Sequence, residues 1–231
     1  MMTPLFAAAR APRILLVTDP AYGDSHIERV VQSIGEAIPR GEFAVQLRDK
    51  RRGAEAVRAL AARLRSLTAA HGVPLLINRD VALALEVGAD GVHLGGDGLP
   101  GLALARQAFP KGWISAAAHS DADVQFASDN GLDAVLVSPI YVTPGKGPPR
   151  GLPALESACA CGGPLAIYAL GGIDASRAAA CAGAGATGVA VLRALLAARD
   201  PVAEARAILA ALPERRVPAA RFGSQNLPKI D

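Results

Sequence analysis

Short apolar runs recur along the chain and alternate with longer stretches in which the apolar residues fall three and four apart. The short runs predict strands at Ile14 to Thr18, Phe43 to Arg48, Leu75 to Asn78, Gly91 to Leu94, Trp113 to Ala117, Ala134 to Ser138, Leu165 to Leu170 and Gly188 to Val191. The longer stretches, among them Ala54 to Ala70, Asp121 to Asp129 and Pro201 to Leu212, predict helices. Gly72, Gly88, Gly131 and Gly185 each stand just before a predicted strand. A residue that tolerates positive φ ends a helix at low cost there.

Repeated β-α units build a parallel sheet. Eight of them in 231 residues predict a single (β/α)8 TIM barrel rather than an open sheet, because closure uses eight units and leaves no edge. The expected organisation is a flexible segment over 1–12, the barrel over 13–212 and a disordered tail over 213–231. One long non-periodic stretch, Pro139 to Pro153, holds five prolines and three glycines and is a candidate active-site loop.

Composition narrows the picture. Apolar residues make up 51% and aromatics only 4%, so Ala, Val, Leu and Ile must fill the interior. The net charge of +3 is scattered, without a basic stripe, which argues against nucleic acid as a partner. No run of 18 apolar residues occurs, and the lone arginine near the start follows the short apolar run rather than preceding it. A cytoplasmic protein without a membrane partner is expected. Cys159, Cys161 and Cys181 lack the spacing of a zinc site and read as reduced thiols.

In such a barrel the loops after the strands form the active site, so polar residues at strand ends are the candidates. Period-two alternation sets Gln46, Arg48 and Lys50 on one side of the second strand, with Val45 and Leu47 on the other. Inward charges are costly without a partner, so Arg48 and Lys50 call for an anion, and a phosphate suits them. Asn78, Arg79 and Asp80 end the third strand, His93 lies within the fourth, His119 and Ser120 follow the fifth, and Ser138 closes the sixth. His93 reads as a satisfied core residue and His119, later on its strand, as a functional one. Gly171 and Gly172 after the seventh strand, with Leu192 and Arg193 after the eighth, read as a divided phosphate cup of backbone amides.

Five runs, taken in order and at these separations, resemble the thiamin phosphate synthase and TenI-type thiazole tautomerase family. They are Leu16-Val17-Thr18-Asp19, Gln46-Leu47-Arg48-Asp49-Lys50, Gly88-Ala89-Asp90-Gly91-Val92-His93-Leu94-Gly95, Ser138-Pro139-Ile140-Tyr141 and Leu170-Gly171-Gly172-Ile173. The resemblance spans about residues 13 to 211. It implies small phosphorylated substrates: a thiazole phosphate and, for the synthase, a hydroxymethylpyrimidine pyrophosphate whose pyrophosphate is displaced with magnesium offsetting its charge. The tautomerase instead moves a proton to aromatise a thiazole carboxylate phosphate. By this resemblance Gln46, Arg48, Lys50, Asn78 and Lys146 meet the pyrimidine and pyrophosphate, and Arg79 and Thr143 are further candidates for binding substrate. Gly171, Gly172, Leu192 and Arg193 meet the thiazole phosphate, and His119 matches the tautomerase's acid and base.

The chain departs from the synthase pattern where magnesium would bind. Arg79 stands in place of one aspartate and Gly98 in place of the other. Asp80 and Asp97 lie one residue away, and a one-residue offset along a strand turns a side chain to the opposite face. Ala117 and Gly145 replace a serine and a threonine of the pattern. These losses favour a metal-independent tautomerase working through His119. The intact Gln46-Arg48-Lys50 set favours the synthase, in which magnesium is expected if Asp80 and Asp97 retain it and Arg79 must otherwise supply its charge; a tautomerase needs no cofactor. A barrel that binds a thiazole or thiamin phosphate without turnover is the third reading. Oligomeric state, a homo-oligomer included, stays open.

Overall fold

The computed structural model describes residues 11–96 and 101–214. Asp97, Gly98 and most of the expected flexible start and tail therefore lie outside the described residues. Eight strands run in order: β1 (Ile14–Val17), β2 (Phe43–Leu47), β3 (Leu75–Asn78), β4 (Gly91–Leu94), β5 (Trp113–Ala118), β6 (Ala134–Val137), β7 (Ala166–Leu170) and β8 (Gly188–Val191). All neighbours pair in parallel and β8 returns to β1, which closes the barrel. The helices between them are α1 (Asp24–Ala37), α2 (Ala54–His71), α3 (Val81–Glu86), α4 (Leu102–Ala108), α5 (Asp121–Asp129), α6 (Gly151–Cys161) and α7 (Ala175–Gly183), followed by α8 (Arg193–Leu196) and α9 (Pro201–Ala211).

Alternation sorts the side chains into two cores. Leu15, Val17, Ala44, Leu76, Trp113, Leu136 and Tyr168 fill the inside of the ring. Ile14, Leu16, Val45, Leu47, Ile77 and Val92 face outward against the helices. Trp113 and Tyr168 approach to 6.1 Å between ring centroids, and Tyr168 donates its hydroxyl hydrogen to the carbonyl of Pro12. This leaves the aromatic bulk and the incoming chain at the N-terminal end. Gly91 lets β4 lie close against the backbone of β5, since a Cβ there would fall 1.8 Å from the Trp113 carbonyl oxygen.

The helix ends follow the sequence signals. Gly72, Gly88, Gly131 and Gly185 all take positive φ. Side chains of Asp80, Ser120, Asp174 and Asp200 cap the helices that follow them, satisfying amides that would otherwise lack partners. Asp200 with Pro201 behind it opens α9 in the arrangement a fixed φ favours. Cys159, Cys161 and Cys181 are free thiols; Cys181 is buried and the other two are half-buried.

Candidate active site

Four inward polar side chains, Gln46, Asn78, His93 and Ser115, gather at the C-terminal end of the ring. Register explains the meeting, for Asn78 pairs with His93 and His93 with Ser115 across parallel neighbours. Gln46 donates from Nε2 to Asn78 Oδ1 at 3.3 Å, and His93 Nδ1 lies 2.9 Å from Ser115 Oγ. Gln46 is only 1% exposed, yet its Oε1 has no hydrogen-bond partner. A buried acceptor left open costs about 1–3 kcal/mol, and an N–H group of a ligand would remove that cost. His93 is the satisfied, buried histidine expected. Burial first, then the positive charges of Arg48 and Arg79, hold its imidazole down at about 3, so it stays neutral.

Strand β2 ends at Leu47, one residue earlier than the alternation implied. Arg48 still belongs to the mouth. Thr18 holds its backbone from the β1 side, accepting from the Arg48 amide at 2.9 Å and donating to the Arg48 carbonyl at 3.2 Å. Lys50 does not continue the alternation. Asp49 accepts from the amides of Arg51 and Arg52 and pairs with the Arg52 guanidinium, which winds the chain into a turn and leaves Lys50 exposed.

After β3 the chain turns sharply. Arg79 sits at φ +68, alone among described non-glycine residues in that region. Its amide donates to the His93 carbonyl at 2.8 Å, and the Asp80 amide donates to the Asn78 carbonyl at 2.9 Å. The turn frees the Asp80 carboxylate to accept from the Leu83 amide at 2.8 Å as the cap of α3.

His119 follows β5 and is exposed. Its backbone amide donates to Asp123 Oδ2 at 2.7 Å, while the Asp123 amide donates to Ser120 Oγ at 3.1 Å, a reciprocal cap of the kind that fixes a helix start. The imidazole lies against Gly96: a Cβ at that position would come 3.0 Å from His119 Cδ2. The imidazole therefore occupies space that a side chain at 96 would claim.

The other side of the mouth is built from backbone. The loop from Pro139 returns along the end of β7 through bonds from Ile140 to Leu170 and from Tyr141 to Gly171. Arg150 and Gly151 donate back to Pro139 and Ile140 and close its base. Arg150 also reaches the Ala118 carbonyl, and the Thr143 hydroxyl donates to the Tyr141 carbonyl at 2.9 Å. Gly171 and Gly172 take φ +107 and +64, and a Cβ would fall 2.9 Å from Pro139 Cα or 2.8 Å from the Val142 carbonyl oxygen. Arg177 stacks over Tyr141 at 4.8 Å and binds the Gly172 carbonyl, pinning the same corner. Among the described residues, the amides of Gly172, Leu192 and Arg193 make no backbone hydrogen bond. Leu192 packs on the inner core, Arg193 is exposed, and the helix it opens is a single turn.

The sequence candidates thus divide. Gln46, Arg48, Asn78, Arg79 and His93 are brought together on the β2–β4 side; Thr143, Gly171 and Gly172 meet on the β6–β7 side. Lys146 is exposed at a turn of the loop. Thr18, Ser115, Gly96 and Arg150 had no role assigned from sequence. Ser115 carried a signal, as a polar residue inside an apolar strand, but only the register with β4 says what it serves.

Among the described residues the donors do not fit a magnesium site. Asp80 caps α3, Asp49 is engaged by Arg52, and no group of three or more His, Cys, Asp or Glu gathers among the described residues. A cation is present instead of a carboxylate at Arg79, and hard divalent ions want oxygen ligands.

A closed parallel barrel with a polar C-terminal mouth defines the class: a (β/α)8 barrel with its candidate site where such barrels place theirs. Residues 14–195 match the thiamine monophosphate synthase family, and the chain belongs to it. It is 41% identical over 194 residues to a thiamine-phosphate synthase of Gloeobacter violaceus, covering 83% of this chain and 54% of that protein. A putative thiamine-phosphate synthase of Geobacter sulfurreducens is 40% identical over 183 residues, covering 78% of this chain and 85% of that one. A bifunctional protein ThiM/ThiE of Symbiobacterium thermophilum matches at 43% over 71% of this chain, which spans only 35% of that relative. Thiamine phosphate pyrophosphorylase of Pyrococcus furiosus has the same fold, with a TM-score of 0.77, 23% identity and coverage of 88% of this chain and 96% of that one. No helix among the described residues is long and apolar enough to cross a membrane.

Proposed function

We propose that the protein is a thiamine-phosphate synthase, joining a hydroxymethylpyrimidine pyrophosphate to a thiazole phosphate. The relatives' names favour this reaction over the tautomerisation that the missing carboxylates suggested. The observation that carries the reading is the open, buried Gln46 Oε1 beside Asn78, Arg48 and Arg79. An acceptor for a pyrimidine amino group and cations for a pyrophosphate then stand on one side. A tautomerase acting on the thiazole alone would leave that side idle.

In the reaction the pyrimidine methylene carbon loses its bond to pyrophosphate, which departs with the electron pair, and the thiazole nitrogen lone pair forms the new bond. Gln46 and Asn78 hold the pyrimidine. Arg48, Arg79, Lys50 and Lys146 neutralise the pyrophosphate, while Thr143 orients the loop that carries Lys146. The amides of Gly171, Gly172, Leu192 and Arg193 hold the thiazole phosphate at the opposite wall, so the two reactants face each other across the mouth. Magnesium, where a synthase of this family holds it, offsets pyrophosphate charge.

A second reading rests on His119, whose backbone is locked by Asp123 and whose ring is exposed at the mouth. Such a histidine suits proton transfer in a thiazole tautomerase. Both products are followed in one experiment, with each substrate set supplied to the wild type and to His119→Asn. We expect thiamine phosphate from the wild type and its formation within about tenfold in the variant. Aromatised thiazole as the sole product, abolished in the variant, would make the protein a tautomerase. Saturable thiazole phosphate binding with neither product would make it a binding protein.

A further inference from the structure

We propose that Arg177 is a positioning residue for the phosphate cup: it holds the Gly172 carbonyl turned toward α7, so that the glycine corner presents amides rather than carbonyls to an anion. The inference rests on the cup assigned to the thiazole phosphate above and deepens it by naming what keeps that cup in its receptive form.

The corner needs such a device. Gly171 and Gly172 take φ +107 and +64, and two adjacent glycines lack the Cβ atoms that would otherwise restrict their backbone. A peptide plane beside such residues can rotate and exchange a donor for an acceptor, and a carbonyl oxygen facing a phosphate repels it. Here the successive carbonyls are taken up by the loop and by α7. Leu170 accepts from the Ile140 amide at 2.9 Å, Gly171 from the Tyr141 amide at 3.0 Å, and Gly172 from the Arg177 guanidinium. These peptides are trans, and in a trans peptide the N–H points opposite the C=O. The amides of Gly171, Gly172 and Ile173 are therefore turned away from those partners. Among the described residues, the amides of Gly172 and Ile173 make no backbone hydrogen bond. Backbone holds the first two carbonyls, whereas the third depends on a side chain.

Arg177 is itself held in place. Its guanidinium lies over the Tyr141 ring, 4.8 Å from the centroid. Cys181 stands four residues further along α7, on the same helix face, and its thiol neighbours the Tyr141 hydroxyl. Burial first, then that thiol, raise the hydroxyl above its usual range, so the ring stays an uncharged platform for the guanidinium. The start of α7 is fixed in turn: Asp174 accepts from the Ser176 amide at 3.1 Å, and Glu204 of α9 accepts from the Ala175 amide at 3.0 Å. The arginine thus ties the glycine pair to the helix layer, although it is exposed.

The test titrates thiazole phosphate and, separately, inorganic phosphate calorimetrically into the full chain, and follows the Gly172 and Ile173 amides by heteronuclear NMR. Arg177→Ala should weaken both ligands about fivefold to tenfold, with the melting temperature lowered by no more than a few degrees. In the ligand-free variant the Gly172 and Ile173 resonances should broaden or double as the peptide turns over. Arg177→Lys, which keeps a donor for the carbonyl, should recover affinity to within about threefold of wild type. In turnover, KM for the thiazole phosphate should rise while kcat and KM for the pyrimidine pyrophosphate stay within about twofold. Wild-type affinity in Arg177→Ala, unchanged amide resonances, or a loss that vanishes at high salt, as for a distant counter-charge, overturns the proposal. Weakened thiazole phosphate binding in the variant, with no thiamine phosphate formed by the wild type, would sink the synthase reading and leave this role standing. Thiamine phosphate formation with unchanged kinetics in Arg177→Ala would do the reverse.

Discussion

The two sides of the barrel mouth are made of different material. The β2–β4 side is lined by side chains: the amides of Gln46 and Asn78 and the neutral imidazole of His93, whose positions follow from alternation and register, with Arg48 and Arg79 just beyond the strand ends. The β6–β8 side is built of backbone, with Gly171 and Gly172 folded so closely against Pro139 to Val142 that no side chain fits between them. Side chains can be exchanged while the strand beneath them stays put. A backbone corner cannot be altered without moving the loop that leans on it. It follows that chemistry on the first side can drift within one fold, as Arg79 in place of an aspartate suggests, while the second side tolerates little.

Substitution at the corner should have the largest effect. In Gly172→Ala the new Cβ meets the Val142 carbonyl at 2.8 Å on a residue at φ +64. We expect a stability loss of about 2 kcal/mol in urea unfolding, together with at least about tenfold weaker thiazole phosphate binding as the loop shifts. This pairing of losses is what marks a corner built of backbone, where stability and affinity fall together. A Gly172→Ala protein with native stability and affinity would erase the distinction.

How legible each side was in the sequence follows from the same difference. The eight strands could be read because each is a short apolar run bounded by turn or helix signals, and Leu75–Asn78, Gly91–Leu94 and Gly188–Val191 were placed to the residue. Apart from Leu165, which lies one residue before β7, the errors fell at the mouth. Thr18, Arg48 and Ser138 each lie one residue beyond their strands, in the case of Thr18 and Arg48 because side-chain bonds take over where the ladder stops. Gln46 and Asn78 could be read from alternation, but Lys50 could not, since the turn at Asp49 interrupts the period. The service of Ser115 to His93 depends on how two strands align, which neither strand encodes alone. Arg79's left-handed backbone gave no sequence signal, because it is imposed by β4 and by the cap of α3.

A smaller effect tests the neutral imidazole. His93 titrates near 6.5 when exposed and at about 3 in the fold. Below the first value the unfolded chain takes up a proton that the folded protein refuses, so stability should fall as pH drops from 6.5 toward 3. The slope from this group is at most about 1.4 kcal/mol per pH unit. Asp133, raised by burial, works in the opposite sense at the other end of the barrel and is common to both proteins compared. Urea unfolding of wild type and His93→Gln between neutral and mildly acidic pH should therefore show a shallower decline in the variant. Parallel declines would mean that the imidazole is not held neutral, and the β2–β4 side would carry a third charge.

Lys146 should give the smallest change, because it belongs to neither kind of construction. It ends the turn Thr143-Pro144-Gly145-Lys146, where its amide bonds to the Thr143 carbonyl at 3.1 Å and Gly145 takes φ +73. Proline second and a positive-φ glycine third is the composition a type II turn favours, so the backbone is shaped without help from the lysine side chain. That side chain is exposed, and an exposed charge contributes at most about 1 kcal/mol and is screened by salt. Lys146→Ala should then melt with the wild type and bind anionic substrate about threefold to fivefold more weakly at low salt, with the gap closing at high salt. A gap that persists in salt, with kcat reduced, would show that the loop closes and carries Lys146 out of solvent onto the pyrophosphate. The β6–β7 wall would then lend a cation to the opposite side, and the division between the two halves of the mouth would hold only for the open state.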